Sequence, residues 1–273
     1  MVKKLFKHEF LAYARVMSVV YIILLTIATA GRVIQFFEND SIPYTIISTI
    51  SGITYGFSVF AVFAFAFVMG IIRFYKNLFT SEGYLSFTLP VTASQHIVVK
   101  AVTAISVELV TLVVVLLSGC ILAAGEMLVE IWKALRYILE KIFELAGAHT
   151  VIIGGELAIL LLLELFAGIM LYYAFISIGQ LFKKNRILAA VGAYFVYYII
   201  TQIVSTVLFI SLSLIATTNF FGDFIFRLIN QVTLHPYASI HFGIWLIVLL
   251  QAIFIWIEFL VVKKILTKKL NLE

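Results

Sequence analysis

Charge is scarce in this sequence. Asp, Glu, Lys and Arg make up 12% of its 273 residues, about half the share of a soluble domain. Cysteine is all but absent. Cys120 stands alone in an apolar run, which excludes an intramolecular disulfide and a thiolate metal cluster and reads as a buried, inert side chain. The prolines are Pro43, Pro90 and Pro236, all between apolar runs, where a missing N–H costs no helical hydrogen bond. No G-x-x-x-x-G-K-[ST] occurs, so the chain has no P-loop for ATP. Nor is there an H-E-x-x-H, a G-x-S-x-G or a Cys/His cluster at metal-ligand spacing. His8, His96, His149, His235 and His241 lie near run ends, where interfacial placement accounts for them. Catalysis finds no motif.

What the chain has is apolar bulk. Its residues are 63% hydrophobic, with 25 Phe and 13 Tyr, and its mean hydropathy is +1.14. No water-facing fold of this length hides that much apolar surface. Six runs are long enough to span a bilayer, which takes about 20 residues: 16–37, 44–72, 97–124, 151–182, 187–216 and 240–262. They show no period-two alternation, so helices are expected rather than a β-barrel. Lys3, Lys4, Lys7, Arg15, Arg73, Lys76, Lys100, Lys183, Lys184, Arg186, Lys263, Lys264, Lys268 and Lys269 gather on one side. Arg32, Lys133, Arg136, Lys141 and Arg227 fall on the other. That bias puts both termini in the cytoplasm. The net charge of +5 is then explained by membrane lipids, without nucleic acid. Ala28-Thr29-Ala30 resembles a signal-peptide cleavage site, but the long charged lead-in with Glu9 argues against cleavage.

Four pieces outside the runs have a character of their own, in what reads as one membrane domain over 1–273. Residues 1–15 place Leu5, Phe6, Phe10 and Tyr13 on one face with basic residues beside them, an interfacial elbow helix or a plain basic flank. Residues 73–96 form the loop after the second run, extending to Lys100. There Thr92 and Gln95 have the form of a capping box, so a helix should start just after Pro90. Leu78, Phe79, Tyr84, Leu85, Phe87 and Leu89 are too many large apolar groups for a solvated loop, so they pack on the chain's own helices or on another protein. Residues 125–149 alternate apolar and charged faces at helical spacing, as an amphipathic helix or hairpin on the outer surface or capping the bundle. Residues 263–273 continue the last run as a basic helix end.

Glu108, Glu156, Glu164 and Glu258 lie inside the runs. Such groups are costly in a bilayer and usually face a cavity or partner. Glu258 is near the inner surface and Glu156 near the outer, where each reaches water. Glu108 lies about 12 Å into its run and Glu164 near the middle of its own. Each is either a neutral carboxyl bonded to a neighbouring helix or part of an anionic path for a cationic substrate.

Residues 77–91, NLFTSEGYLSFTLPV, followed by Gln95 and Lys100, resemble the region after the second span in bacterial ABC exporter permeases of the type-2 class. Those permeases show a similar LP-V and lysine pattern and an EGYL-x-F-T-LP stretch. Lys7-His8-Glu9-Phe10 with Arg15 resembles their N-terminal elbow, and the six-span layout matches theirs. The resemblance implies an all-α permease that binds no cofactor itself. ATP and Mg would sit on a separate ABC ATPase subunit. Two permeases, as a homodimer or with a sister permease, would dock two ATPases, with Phe79, Glu82, Tyr84, Leu85, Phe87 and Leu89 of a coupling helix as the contacts. Alternating access would move an amphipathic cargo, such as a peptide, outward. The chain departs from the pattern in its longest outer segment, which lies between the third and fourth spans rather than the last two. The alternative is a membrane sensor or assembly protein acting through partner helices. An ion-driven transporter would need broken helices near midplane, and no paired Gly/Pro interruptions suggest them.

Overall fold

Apolar runs of this length satisfy their backbone polar groups in a bilayer only by closing them into helices, and the computed structural model bears that out. It describes residues 1–216, 222, 227 and 230–268. The helices are α1 (Val2–Gln35), α2 (Ile42–Phe79), α3 (Glu82–Thr88), α4 (Ala93–Leu122), α5 (Glu126–Ala146), α6 (His149–Gly179), α7 (Arg186–Ala216) and α8 (Pro236–Lys268). No strand occurs among the described residues. Helices α1, α2, α4, α6, α7 and α8 are each long and apolar enough to cross a membrane, as the six runs predict. The end of the basic tail, 269–273, lies outside the described residues.

Local chemistry sets the helix ends. Ser41 caps α2 by accepting from the Tyr44 N–H, with Pro43 in the first turn, where its missing donor costs nothing. The capping box at α4 forms in both directions: Gln95 N–H donates to Thr92 Oγ1 at 3.3 Å, and Thr92 N–H to Gln95 Oε1 at 2.9 Å. Gly125 and Gly147 bracket α5 with φ of 99° and 54°, a region that favours glycine. Residues 2–15 are helical and run on into the first span as one helix, α1. Of the helix or hairpin expected in the outer segment, the structure forms a single helix over 126–146. One expectation changes: Cys120, read as buried, is exposed.

The chain divides into two compact units, Met1–Gly147 and Ala148–Asn271. In the first, α1, α2 and α4 pack on one another and α3 packs on α2. Their contact stripes combine large and small residues: Tyr13, Met17, Leu24, Ala28 and Gly31 on α1, and Val62, Ala66, Gly70 and Phe74 on α2. Small residues let membrane helices approach, and hydroxyls bind across the seams. Tyr13 OH donates to the Ala66 carbonyl. Tyr21 OH pairs with Thr111 Oγ1 at 2.7 Å, and Tyr55 OH with Ser118 Oγ at 2.9 Å. In the second unit α6 packs on both α7 and α8. A Cβ on Gly179 would lie 2.5 Å from the Arg186 carbonyl, so only glycine fits that close approach of α6 to α7.

Candidate functional site

The loop between α2 and α4 is structured throughout. Gly83 is buried where α3 starts, and its N–H donates to the Thr80 carbonyl at 2.8 Å. Phe87 is half-buried, its ring edge-on to His96 of α4 with centroids 5.9 Å apart. Phe79 is 2% exposed and packs edge-on to Phe74 at 5.6 Å, so its ring is taken up inside the chain. Glu82 is exposed, and Tyr84, Leu85 and Leu89 are 57%, 74% and 45% exposed. Of the six residues singled out in this loop, four therefore present a surface, one is shared and one is internal.

Beneath α3 lies a clamp that connects three helices. Glu9 of α1 accepts from Arg73 Nη2 at 2.8 Å, from Asn77 Nδ2 at 3.0 Å and from Lys100 Nζ at 2.9 Å. Arg73 and Asn77 lie in the last two turns of α2, and Lys100 in the third turn of α4. The Lys100 side chain is 5% exposed and that of Glu9 11%. Their mutual attraction is little screened by solvent, and either charge alone would be costly there. Arg73 also lies 5.8 Å from the Tyr13 ring centre. Reasoning from sequence did not assemble this clamp. Its one signal is that Glu9 is the sole acidic residue before Glu38, amid bases on the same membrane side.

The intramembrane carboxylates fall into different settings. Glu108 is half-buried on α4 and makes no hydrogen bond among the described residues. Glu164 is exposed midway along α6 and accepts from the Gln251 amide of α8. Glu9 and Glu108 belong to the first unit, Glu164 to the second. Glu258 is half-buried and keeps one oxygen, Oε2, buried without a hydrogen-bond partner. Glu156, expected to reach water, does not. It is 8% exposed and accepts from His241 Nδ1 at 2.8 Å and Trp245 Nε1 at 2.9 Å. His241 in turn meets His149 Nδ1 at 3.2 Å, and His149 stacks on Tyr237 at 4.4 Å. The histidine signal was visible in the sequence, but the pairing of residues 85 and 92 positions apart was not. No group of three or more metal-binding side chains occurs among the described residues.

These features define a multi-pass helical membrane protein. No family model, curated protein or solved structure matches the chain.

Proposed function

We propose that the chain is the permease subunit of an ATP-driven ABC exporter, with both termini in the cytoplasm. The observation that carries this reading is α3: a short helix with exposed apolar side chains, mounted on a buried ionic clamp at the basic end of the spans. Tyr84, Leu85 and Leu89 gain from burial against a partner by about 25 cal/mol per Å² of apolar surface. A rigid mount lets such a contact transmit force rather than absorb it. The partner of fitting chemistry is a separate ATPase, since the chain has no P-loop, and ATP and Mg belong to that partner.

A second permease copy, or a sister permease, completes the assembly. Glu164 supports this, because an exposed carboxylate at mid-span would cost about 2.5–3.5 kcal/mol against lipid. A protein face or a wet path between permeases removes that cost. The cargo is amphipathic, such as a peptide, and Glu108 and Glu164 favour a cationic one. Co-expression with a candidate ABC ATPase tests the proposal. Co-purification and ATPase activity that follow the native α3 surface, and are lost in Leu85→Asp, are the expected result. An ATPase that binds Leu85→Asp and Tyr84→Asp as it binds the parent overturns it.

A further inference from the structure

At the end of the first unit opposite the clamp, a cavity of about 610 Å³ opens between the last turn of α1, the start of α2 and the start of α5. That volume is in the range of small-ligand sites. Charges of both signs line it: Arg32 on one hand, Glu38, Glu126 and Glu130 on the other. An arginine that shares a cavity with three carboxylates ordinarily closes onto one of them. Arg32 forms no ion pair with any described residue.

Other contacts hold its guanidinium in place. Nη1 donates to Gln35 Oε1 at 2.8 Å, and the group lies 4.8 Å from the centre of the Phe36 ring. On its other side Gly125 gives it room: a Cβ there would lie 2.9 Å from Nη2. The cation is thus held by these other contacts, and none of the three carboxylates that line the cavity with it lies within ion-pair distance. A ligand with an anionic and a cationic group satisfies both sides at once.

The neighbouring helix says where that ligand comes from. Helix α5 buries none of its residues, and Ile131, Leu135, Ile138, Leu139 and Ile142 all stay exposed. At about 100° per residue, its apolar side chains cover nearly half the circumference. Arg136 and Lys141 border that arc, while Glu126, Glu140 and Glu144 occupy the middle of the polar side with Lys133. Bases at the margins and acids farthest from the apolar face suit a helix lying in the head-group layer, although Arg136 is paired with Glu140 at 2.8 Å and Lys141 with Glu144 at 2.6 Å. Three residues, Ala123 to Gly125, connect it to α4, and Gly147 and Ala148 lead on to α6, so both ends enter spans. Met127 belongs to both features: it lines the cavity and opens the apolar arc.

We propose that this cavity binds the head group of a zwitterionic phospholipid. Its phosphate rests on Arg32, its ammonium lies among Glu38, Glu126 and Glu130, and its acyl chains leave past Met127 along α5. The inference needs only that the spans sit in a bilayer. It stands or falls apart from the permease reading, since its test involves no ATPase.

Delipidated protein in detergent, titrated with palmitoyl-oleoyl phosphatidylethanolamine and followed by native mass spectrometry, tests it. The expected result is saturable binding that weakens at least about tenfold in Arg32→Gln, the loss of one charge-assisted contact. The double variant Glu126→Gln/Glu130→Gln should weaken it similarly while leaving phosphatidylglycerol, which has no ammonium, unaffected. Ser48→Trp, which fills the cavity without altering a charge, should also reduce binding and guards against misfolding of Arg32→Gln. Equal affinity of the parent for both lipids, or phosphatidylethanolamine binding unchanged in all three variants, overturns the proposal. So does displacement of the lipid by equimolar glycerophosphoethanolamine, which would make the ligand a soluble zwitterion.

Discussion

Lys100 Nζ lies 2.9 Å from Glu9 Oε1, so the first turns of α4 are tied to the N-terminal stretch of α1. The same carboxylate holds Arg73 at the end of α2. One anion thus serves two cations from two helices, and the three positions are not equivalent.

Glu9→Gln leaves Lys100 and Arg73 near each other without the carboxylate that binds both, and only Glu82 still acts on Lys100 as a counter-charge. It should destabilise the detergent-solubilised protein by about 3 kcal/mol. Lys100→Met should cost less, because Glu9 then keeps Arg73 and Asn77. Thermal unfolding of the two variants checks the order; the reverse order would show that the clamp is not held by its anion.

Leu85→Asp and Tyr84→Asp change exposed positions and should move stability by no more than about 0.5 kcal/mol. Both should abolish co-purification of an ATPase partner. Phe79→Ala should do the opposite in kind. Its ring is internal, so the expected loss is about 3–5 kcal/mol of stability, with any loss of partner following from unfolding. Melting curves and pull-downs on the same samples separate the two effects.

Gly31 lies where a Cβ would approach Leu122 Cδ1 to 2.8 Å. Gly31→Val should therefore overpack the α1–α4 seam and cost about 1–3 kcal/mol. Gly52→Ala has open space around it and should be neutral or slightly stabilising through helix propensity. Melting temperatures of the pair report whether that seam is as close as described.

Glu164→Gln keeps the size and hydrogen-bonding capacity of the side chain but removes its charge. If the carboxylate lines a path for cationic cargo, transport of a cationic amphipathic peptide into inverted vesicles should fall several-fold while thermal stability holds. Unchanged transport with Glu164→Gln and Glu108→Gln would end that assignment.

The spans and the α4 capping box were legible because each depends on neighbours in sequence: hydropathy over some twenty residues, or a hydroxyl three positions from a glutamine. The unbroken course of α1 was not. Its basic lead-in reads as an interfacial elbow helix or a plain flank, and only helical hydrogen bonding through residues 2–15 makes it one helix with the span. Phe79 reads as a loop residue that packs either on the chain's own helices or on a partner, and nothing local shows that Phe74, five positions earlier, will receive its ring. The clamp and the Glu156 cluster need partners from distant helices, and a single chain carries no periodicity that pairs Glu9 with Lys100 or Glu156 with His241. The Arg32 cavity was hidden for a related reason. Its vacancy depends on Gly125, a residue whose contribution is the absence of a side chain.

The continuity of α1 has a mechanical consequence. Glu9 and Arg32 lie on one helix, about 35 Å apart along its axis. A tilt of about 5° pivoting at Glu9 would sweep Arg32 through roughly 3 Å, about the length of one hydrogen bond. If α3 docks a partner and the Arg32 cavity holds a head group, as proposed, α1 is a lever arm between them. A push on α3 would then open or close a grip on lipid at the far end of the helix, with no break in α1 between the two.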